Sequence, residues 1–68
     1  FASMKGVNLE GANLLRAELG GADLTGARVK GADFTDADVA SAKLKDLIGV
    51  AGSNLEQAAN NLNQAFRK

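Results

Sequence analysis

The sequence predicts a mainly β fold, a small coil with short sides around an apolar axis, followed by a C-terminal amphipathic α-helix. Three observations predict it. Alanine returns at every fifth residue over most of the chain, and an apolar residue stands two places after each repeat begins. Beyond Asp46 the apolar spacing changes from five residues to that of a helix. The first two observations concern residues 2–46, and the third concerns residues 54–66.

Composition limits both the size and the chemistry of the protein. Sixty-eight residues allow one small domain, and the chain has no Cys, His, Trp, Tyr or Pro. Disulfides and thiolate metal sites are therefore excluded. Eight basic and eight acidic residues cancel, and no apolar run is long enough to span a membrane. We expect no nucleic acid partner and no direct membrane insertion, and these residues do not encode a compartment.

Nine consecutive pentads fill residues 2–46 without insertion. If the places of each pentad are numbered one to five, place one is Ala in eight of the nine, and place two is always polar or charged. Place three is always apolar, and place five is Gly in five pentads. The predicted structural core is the set of place-three residues: Met4, Leu9, Leu14, Leu19, Leu24, Val29, Phe34, Val39 and Leu44.

A period of five fits neither a helix nor a flat strand. An α-helix turns about 100° per residue, so a step of five would scatter the apolar pairs around its cylinder. An odd period on a strand would send alternate pairs to opposite faces. Within one pentad, however, places one and three share one side of an extended segment. The chain must therefore turn at every pentad, and Gly at place five suits such a corner because it tolerates left-handed backbone.

The tandem pattern A-(D/N)-L-x-x resembles the pentapeptide repeat family, and it covers roughly two thirds of the chain. The resemblance implies a right-handed quadrilateral β-helix with four pentads per coil, in which place three and the alanine before it point inward. Residues twenty apart would then stack at about the 4.8 Å spacing of neighbouring strands. We expect residues 1–46 to form this β-helix, residues 47–53 to form a connector and residues 54–68 to form a helical cap.

The implied register can be compared with the charges that it stacks on the outside. Opposite charges meet in three stacks and like charges in one: Glu10 with Lys30, Arg16 with Asp36, Asp23 with Lys43, and Glu18 with Asp38. Each exposed pair contributes a few tenths of a kcal/mol, roughly. The pairs therefore support the register more than they support the stability.

The C-terminal segment has the apolar spacing of a helix from about residue 54 to residue 66. Ser53 and Glu56 have the spacing of a capping box, and Arg67 with Lys68 would complement the helix dipole. The apolar stripe consists of Leu55, Ala58, Ala59, Leu62, Ala65 and Phe66. Two interpretations of this stripe are open. In the first, which we favour because solenoid ends need covering, the stripe caps the last coil. In the second, it docks onto another chain, a second copy included.

No residue pattern indicates catalysis or a cofactor. The acidic run at Asp33, Asp36 and Asp38 lacks the Gly and the distal Glu of an EF-hand loop, so a solvated outer face is the better interpretation than a metal site. The serines have neither His nor Cys to activate or replace them. We therefore expect no enzyme, no catalytic residue, no cofactor and no metal.

Irregularities in the repeat mark the candidate partner-binding residues. Leu15 is apolar at an outward place, and Thr35 would lie beside it, which makes one side less polar than the others. Leu62 and Phe66 of the C-terminal stripe are the other candidates. The first coil would also present an uncovered edge, which either upstream residues or a partner would cover.

These expectations combine into a non-enzymatic structural or protein-interaction module, a rigid coil that presents an outer face or an open end to a partner. The resemblance extends to small cyanobacterial and chloroplast members, thylakoid-lumen proteins among them. It implies an accessory role on a larger membrane or photosynthetic assembly. The alternative is a gyrase-protecting protein that mimics DNA and dimerises through the C-terminal helix. Residues 2–46 carry six basic and seven acidic residues, too balanced for a strongly acidic DNA mimic.

Overall fold

A computed structural model describes residues 3–67, and they wind into a coil of three turns measuring 22 × 22 × 18 Å. We name the turns coil one (3–22), coil two (23–42) and coil three (43–67), and the end of coil three overlaps its start because Phe66 stacks above Lys43. Parallel bridges join residues twenty apart: Ser3 to Asp23, Asn8 to Arg28, Asn13 to Asp33, Glu18 to Asp38, Asp23 to Lys43, and Arg28 to Ile48. Each bridge is one residue pair, so no longer strand occurs within residues 3–67. The predicted twenty-residue register is present.

Each coil has four sides, which we number in chain order. Side one contains residues 3–5, 23–25 and 43–45, side two 8–10, 28–30 and 48–50, side three 13–15 and 33–35, and side four 18–20 and 38–40. Backbone hydrogen bonds run between coils along every side. On side two, for example, Leu9 donates its N–H to the Arg28 carbonyl at 2.7 Å, and Arg28 donates its own to Val7 at 2.9 Å. These ladders hold the sides in fixed positions.

The preference for Asn or Asp at place two has a local cause. The side-chain oxygen of this residue accepts a hydrogen bond from the backbone N–H two residues later, at the start of the corner. Asn8 accepts from Glu10 at 2.9 Å, and Asp38 accepts from Ala40 at 3.0 Å. Asn13, Asp23 and Asp33 do the same. Asn or Asp at place two therefore stabilises the corner that follows it.

The corners themselves use left-handed backbone at place five. Glycine meets this requirement without strain, as at Gly26 with a φ of 73°. Four corners instead hold non-glycine residues with φ between 57° and 62°: Arg16, Asp36, Ser41 and Asp46. A non-glycine residue in this conformation costs about 1–2 kcal/mol. The ladder offsets that strain, since Arg16 donates its N–H to the Thr35 carbonyl at 2.8 Å.

The apolar residues along the axis are least exposed to solvent in coil two. Place three of this coil is at most 1% exposed at Leu24, Val29, Phe34 and Val39, and its place-one alanines are at most 3% exposed. In coil one, Met4, Leu9 and Leu14 are only half-buried, and Leu19 is 8% exposed. The difference arises because coil two has a coil on both sides, whereas coil one has a neighbour on one side only within residues 3–67.

The expected helix over residues 54–66 is wrong. Only Leu55–Ala58 is α-helical (α1), and Ala59 after it is extended, with a φ of −74° and a ψ of 144°. Short 3-10 turns occupy Val50–Gly52 and Leu62–Gln64. Between and after them the chain rejoins the coil through parallel bridges from Asp38 to Asn60 and from Lys43 to Phe66. The segment forms a third, irregular coil.

The backbone hydrogen bonds available at the edge of coil two explain why the C-terminal segment does not form a long helix. An isolated helix of this length is marginal in water. The upper edge of coil two offers unpaired backbone groups that a third coil satisfies. Val39 donates its N–H to the Asn60 carbonyl at 3.1 Å, and Asn60 donates to Ala37 at 2.7 Å. Asn61, left-handed at a φ of 63°, makes the corner that follows the Asn60 bridge.

Coil three follows the pentad register at first and then departs from it. Leu47 takes the alanine place, and Ile48 still bridges to Arg28 at the regular spacing. The later bridges span 22 and 23 residues (Asp38 to Asn60, Lys43 to Phe66), because the turns add residues. Leu55 remains fully buried. The division into 1–46, 47–53 and 54–68 stays a prediction, and the bridges extend the coil past residue 46.

The opposite charges stack as predicted, but they do not form the expected ion pairs. Asp23 and Lys43 are bridge partners, yet the ion pairs within residues 3–67 are those of Lys5 with Asp23, at 3.8 Å, and of Arg67 with Glu56. Exposed side chains gain little from pairing and lose side-chain entropy when they are held. The stacked charges therefore form no ion pairs with each other in the described residues.

Candidate interaction surfaces

The side chains available to a partner are those of places two and four, because places one and three point to the axis. Asn and Asp at place two are already turned onto their own corners. The four sides differ from one another mainly in their lysines and in the few apolar residues that stand at outward places. Three exposed large apolar residues stand out within residues 3–67: Leu15, Ile48 and Phe66.

Side one carries an open groove of about 430 Å³. The groove runs across all three coils, and it is lined by Lys5, Asp23, Thr25, Lys43, Lys45 and Phe66. Three lysines face one aspartate, which leaves an excess of two positive charges. Phe66 adds an apolar surface at the coil-three end, and it is 58% exposed. Cationic and aromatic groups thus share one concave face.

Asp23 is the single acidic residue of the groove lining, and its oxygens are largely occupied. Its Oδ1 accepts from the Thr25 hydroxyl at 2.6 Å and from the Thr25 backbone N–H at 3.0 Å. These two hydrogen bonds, followed by the charges of Lys5 and Lys43, lower the pKa of the Asp23 carboxyl. Asp23 therefore stays ionised and fixed, but it neutralises only part of the lysine charge.

Leu15 and Thr35 lie on side three in neighbouring coils, as the sequence predicts. Leu15 is 49% exposed. The Thr35 hydroxyl is engaged, since it donates to Asp33 Oδ1 at 2.5 Å and lies 3.2 Å from the Asn54 Nδ2 donor. Leu15, and not Thr35, is therefore what makes side three less polar than the other sides. Its use by a partner stays a prediction.

The acidic run of Asp33, Asp36 and Asp38 is spread over side three, a corner and side four. The Thr35 hydroxyl, and after it Asn54, lowers the pKa of Asp33. Asn61, and after it the Ala40 N–H, lowers the pKa of Asp38. Among residues 3–67 no group of three or more acidic, His or Cys side chains is arranged to hold a metal. These carboxylates stabilise their own corners and coil three.

The two candidates in the C-terminal segment have different positions. Leu62 is half-buried and packs against the core. Phe66 points outward from side one, at the place-two position above Lys43. The segment therefore covers the axis with Leu55 and Leu62 and presents Phe66 to solvent.

Coil one leaves one edge of the ladder open within the described residues. In coil two the place-two N–H groups of Arg28, Asp33 and Asp38 donate to coil one, at 2.9 Å in each case. The equivalent N–H groups of coil one have no backbone acceptor within residues 3–67: Asn8, Asn13 and Glu18. Half-buried Met4 and Leu9 lie beside them. Either chain upstream of residue 3 or a strand of a partner can extend such an edge.

Sequence reasoning missed most of the side-one groove. The register alone stacks Lys5, Thr25 and Lys45 at place four and Asp23 with Lys43 at place two, so this signal was available. The position of Phe66 does not follow from the register, because the apolar spacing of the C-terminal segment predicts a helix. The described residues contain no helix long and apolar enough to cross a membrane.

Comparison with known proteins agrees with the repeat. Eight copies of the family model described as pentapeptide repeats match residues 2–45, more than half of the chain. Searches of curated proteins and of solved structures return no match. Pentapeptide repeats generally form a right-handed β-helix, and they generally serve as non-enzymatic structural modules. The chain belongs to the pentapeptide repeat family.

Proposed function

We propose that this protein acts as a rigid display module, which presents an outer side or the open edge of coil one to a protein partner. The observation that carries the proposal is the continuous ladder from coil one to coil three. It holds the outward side chains of places two and four in fixed positions, as on side four, where Glu18 and Asp38 form one bridge and Asp38 and Asn60 the next. A preorganised surface loses little entropy when it binds.

The chemistry of the outward residues supports binding rather than catalysis. The Ser53 hydroxyl has a structural role, because its Oγ donates a hydrogen bond to the Val50 carbonyl at 2.9 Å. The perturbed carboxyl groups owe their lowered pKa values to neighbouring donors that stabilise corners, not to a cleft. The resemblance to thylakoid-lumen members extends the proposal to an accessory role on a photosynthetic membrane assembly, and that extension rests on resemblance alone.

The gyrase-protecting alternative has less support. It needs a C-terminal helix for dimerisation, and the helical part of that segment is only Leu55–Ala58. Leu62, a residue of the apolar stripe that would form the dimer interface, packs against the protein's own core.

The experiment that tests the display function is affinity capture from an extract of the source organism, with one variant for each surface. Lys43→Glu/Lys45→Glu changes side one, Arg28→Glu/Lys30→Glu changes side two, Leu15→Lys changes side three, Glu18→Lys changes side four, and Met4→Asp changes the open edge. We expect a stoichiometric partner that one variant loses although that variant remains folded at the temperature of the capture. The absence of such a partner, or capture that no variant affects, would contradict the function.

A further inference from the structure

We propose that the side-one groove binds an acidic peptide segment of a partner protein, with carboxylates against Lys43 and Lys45 and an apolar side chain on Phe66. This inference rests on the proposed display function, and it names both the surface and the chemistry of the partner. It follows from the charge of the groove, the position of the aromatic ring and the shape of the cavity.

The charge of the groove is not balanced within the fold. Lys5 has Asp23 at 3.8 Å, and Asp23 in turn is held by Thr25. Neither Lys43 nor Lys45 forms an ion pair in the described part of the chain. Both side chains are exposed, so their charges are available to carboxylates that arrive together on one segment.

Phe66 provides the apolar contact, and the ladder fixes its backbone beside Lys43. Leu44 donates its N–H to the Phe66 carbonyl at 2.6 Å, and Phe66 donates its own to Ala42 at 2.8 Å. The ring nevertheless remains 58% exposed, at a place that polar residues occupy in the coils below. An exposed aromatic residue that shares a face with cationic side chains is typical of a binding surface.

The shape of the cavity favours an extended segment over a single ion. About 430 Å³ of open space lies along three stacked coils, which successive residues of a peptide can follow. A second copy of this chain offers Glu18 and Asp38 on side four as a competing source of carboxylates. Such a contact would join different surfaces of the two copies and would not close into a dimer. We therefore assign the groove to another chain and treat self-association as an outcome of the test.

The direct test is an amide NMR titration of the full chain with an acetylated, amidated peptide of sequence DELEDE, at low ionic strength. The same peptide with lysine in place of every acidic residue is the control ligand. We expect shifts at the amides of Lys5, Thr25, Lys45 and Phe66, and no shift at Glu18 or Asp38. Raising the salt concentration should weaken binding, because the contact is electrostatic.

Two double variants with the same change in charge separate a specific groove from general attraction. Lys43→Glu/Lys45→Glu should weaken peptide binding at least tenfold, and Arg28→Glu/Lys30→Glu on side two should change it less than threefold. Phe66→Ser should weaken it without changing the net charge. Thermal unfolding of each variant verifies that it folds.

Three results would overturn the inference. The first is equal loss of binding in both double variants, and the second is shifts spread over all four sides. The third is concentration-dependent self-association of the chain that Lys43→Glu/Lys45→Glu abolishes, which would assign the groove to a second copy. If affinity capture finds a partner that the side-one variant retains, the groove assignment fails while the display function stands. If no partner is captured at all, the display function fails.

Discussion

Phe34 and Asn54 are joined by a hydrogen bond in which a side-chain oxygen takes the place of the backbone carbonyl that accepts elsewhere in the ladder. The Phe34 backbone N–H donates to Asn54 Oδ1 at 2.6 Å, whereas the equivalent N–H of coil one, that of Leu14, donates to the backbone carbonyl of Asp33 at 2.8 Å. Asn54 Nδ2 also donates to Asp33 Oδ1 at 2.9 Å. One asparagine thus continues the ladder at the point where coil three leaves the pentad register.

Replacing Asn54 should therefore destabilise the fold more than its partial burial suggests. Asn54→Ala leaves the part-buried Phe34 N–H without its acceptor, at a cost of about 1–3 kcal/mol. Asn54→Asp keeps an acceptor but loses the donor and places a carboxylate against Asp33, so we expect a similar loss at pH 7. Urea unfolding followed by circular dichroism measures both. The control Asn63→Ala, at an exposed position, should change the free energy of unfolding by less than about 0.5 kcal/mol. Equal effects at the two positions would contradict this role of Asn54.

Gly49 and Gly6 should respond differently to the same substitution. Both have positive φ, at 86° and 66°. A Cβ on Gly49 would lie 2.8 Å from the Lys30 Cβ and 2.9 Å from its backbone nitrogen, but a Cβ on Gly6 would meet no atom within 4 Å. Gly6→Ala should cost about 1–2 kcal/mol through backbone strain alone. Gly49→Ala should cost at least about 1 kcal/mol more, because the neighbouring coil must move. Equal changes in the free energy of unfolding would argue against the close packing of coil three on side two.

Glycine should stabilise a corner that lacks it. Ser41 has a φ of 62°, so Ser41→Gly removes left-handed strain of about 1–2 kcal/mol and adds about 0.5–1 kcal/mol of unfolded-state entropy. We expect a net gain of about 0.5–1 kcal/mol, measured as a rise in the urea midpoint. The matched variant Glu10→Gly, also exposed but outside the set of positive-φ residues, should lower the midpoint. A loss of stability in Ser41→Gly would contradict the left-handed corner.

Stability should fall in acid because hydrogen-bonded carboxylates must be protonated. The Thr35 hydroxyl lowers the pKa of Asp33, and the Arg67 guanidinium lowers the pKa of Glu56. A pKa that is lower in the folded state gives stability that is present above the unfolded-state pKa of about 4 and is lost as the pH falls through the folded-state value. Thermal midpoints from pH 7 to pH 2.5 should therefore decline below about pH 4. Asp33→Asn should flatten that decline, and an unchanged acid profile in this variant would exclude Asp33 as a contributor.

Leu62→Asp distinguishes the protein's own cap from a dimer interface. Leu62 is half-buried against the core, so a carboxylate there should cost about 1–3 kcal/mol of unfolding free energy. Phe66→Asp, at a 58% exposed ring, should cost much less. Light scattering after size exclusion should give the same mass for the wild type and for Leu62→Asp. A wild-type dimer that Leu62→Asp converts to a monomer would show that the stripe docks onto a second copy.

The first two coils were predictable because the interactions that shape each pentad lie within its own five residues. Extended pairs at places one and three, a corner at place five and an accepting Asn or Asp at place two are all encoded within five residues. The bridge from Asn13 to Asp33 follows once four such units make a turn. The family assignment is confirmed by the match over residues 2–45.

The third coil was not predictable from its own periodicity, because tertiary contacts decide it. The spacing of Leu55, Leu62 and Phe66 is that of a helix, but the free ladder edge of coil two outweighs a short helix. A weaker signal was present. Ala59 with Asn60 repeats the residues of places one and two, and the structure uses Asn60 as a place-two residue, bridged to Asp38. The extra residues in the turns concealed this pair from a strict period of five.

The most direct test of the whole account is a nuclear Overhauser spectrum of the C-terminal segment, since the closed axis and the side-one groove both depend on coil three. We predict cross-coil contacts between the backbone protons of Asp38 and Asn60 and of Lys43 and Phe66, with helical contacts confined to Leu55–Ala58 and the short 3-10 turns. Continuous helical contacts from residue 54 to residue 66, without cross-coil contacts at Lys43, would contradict it.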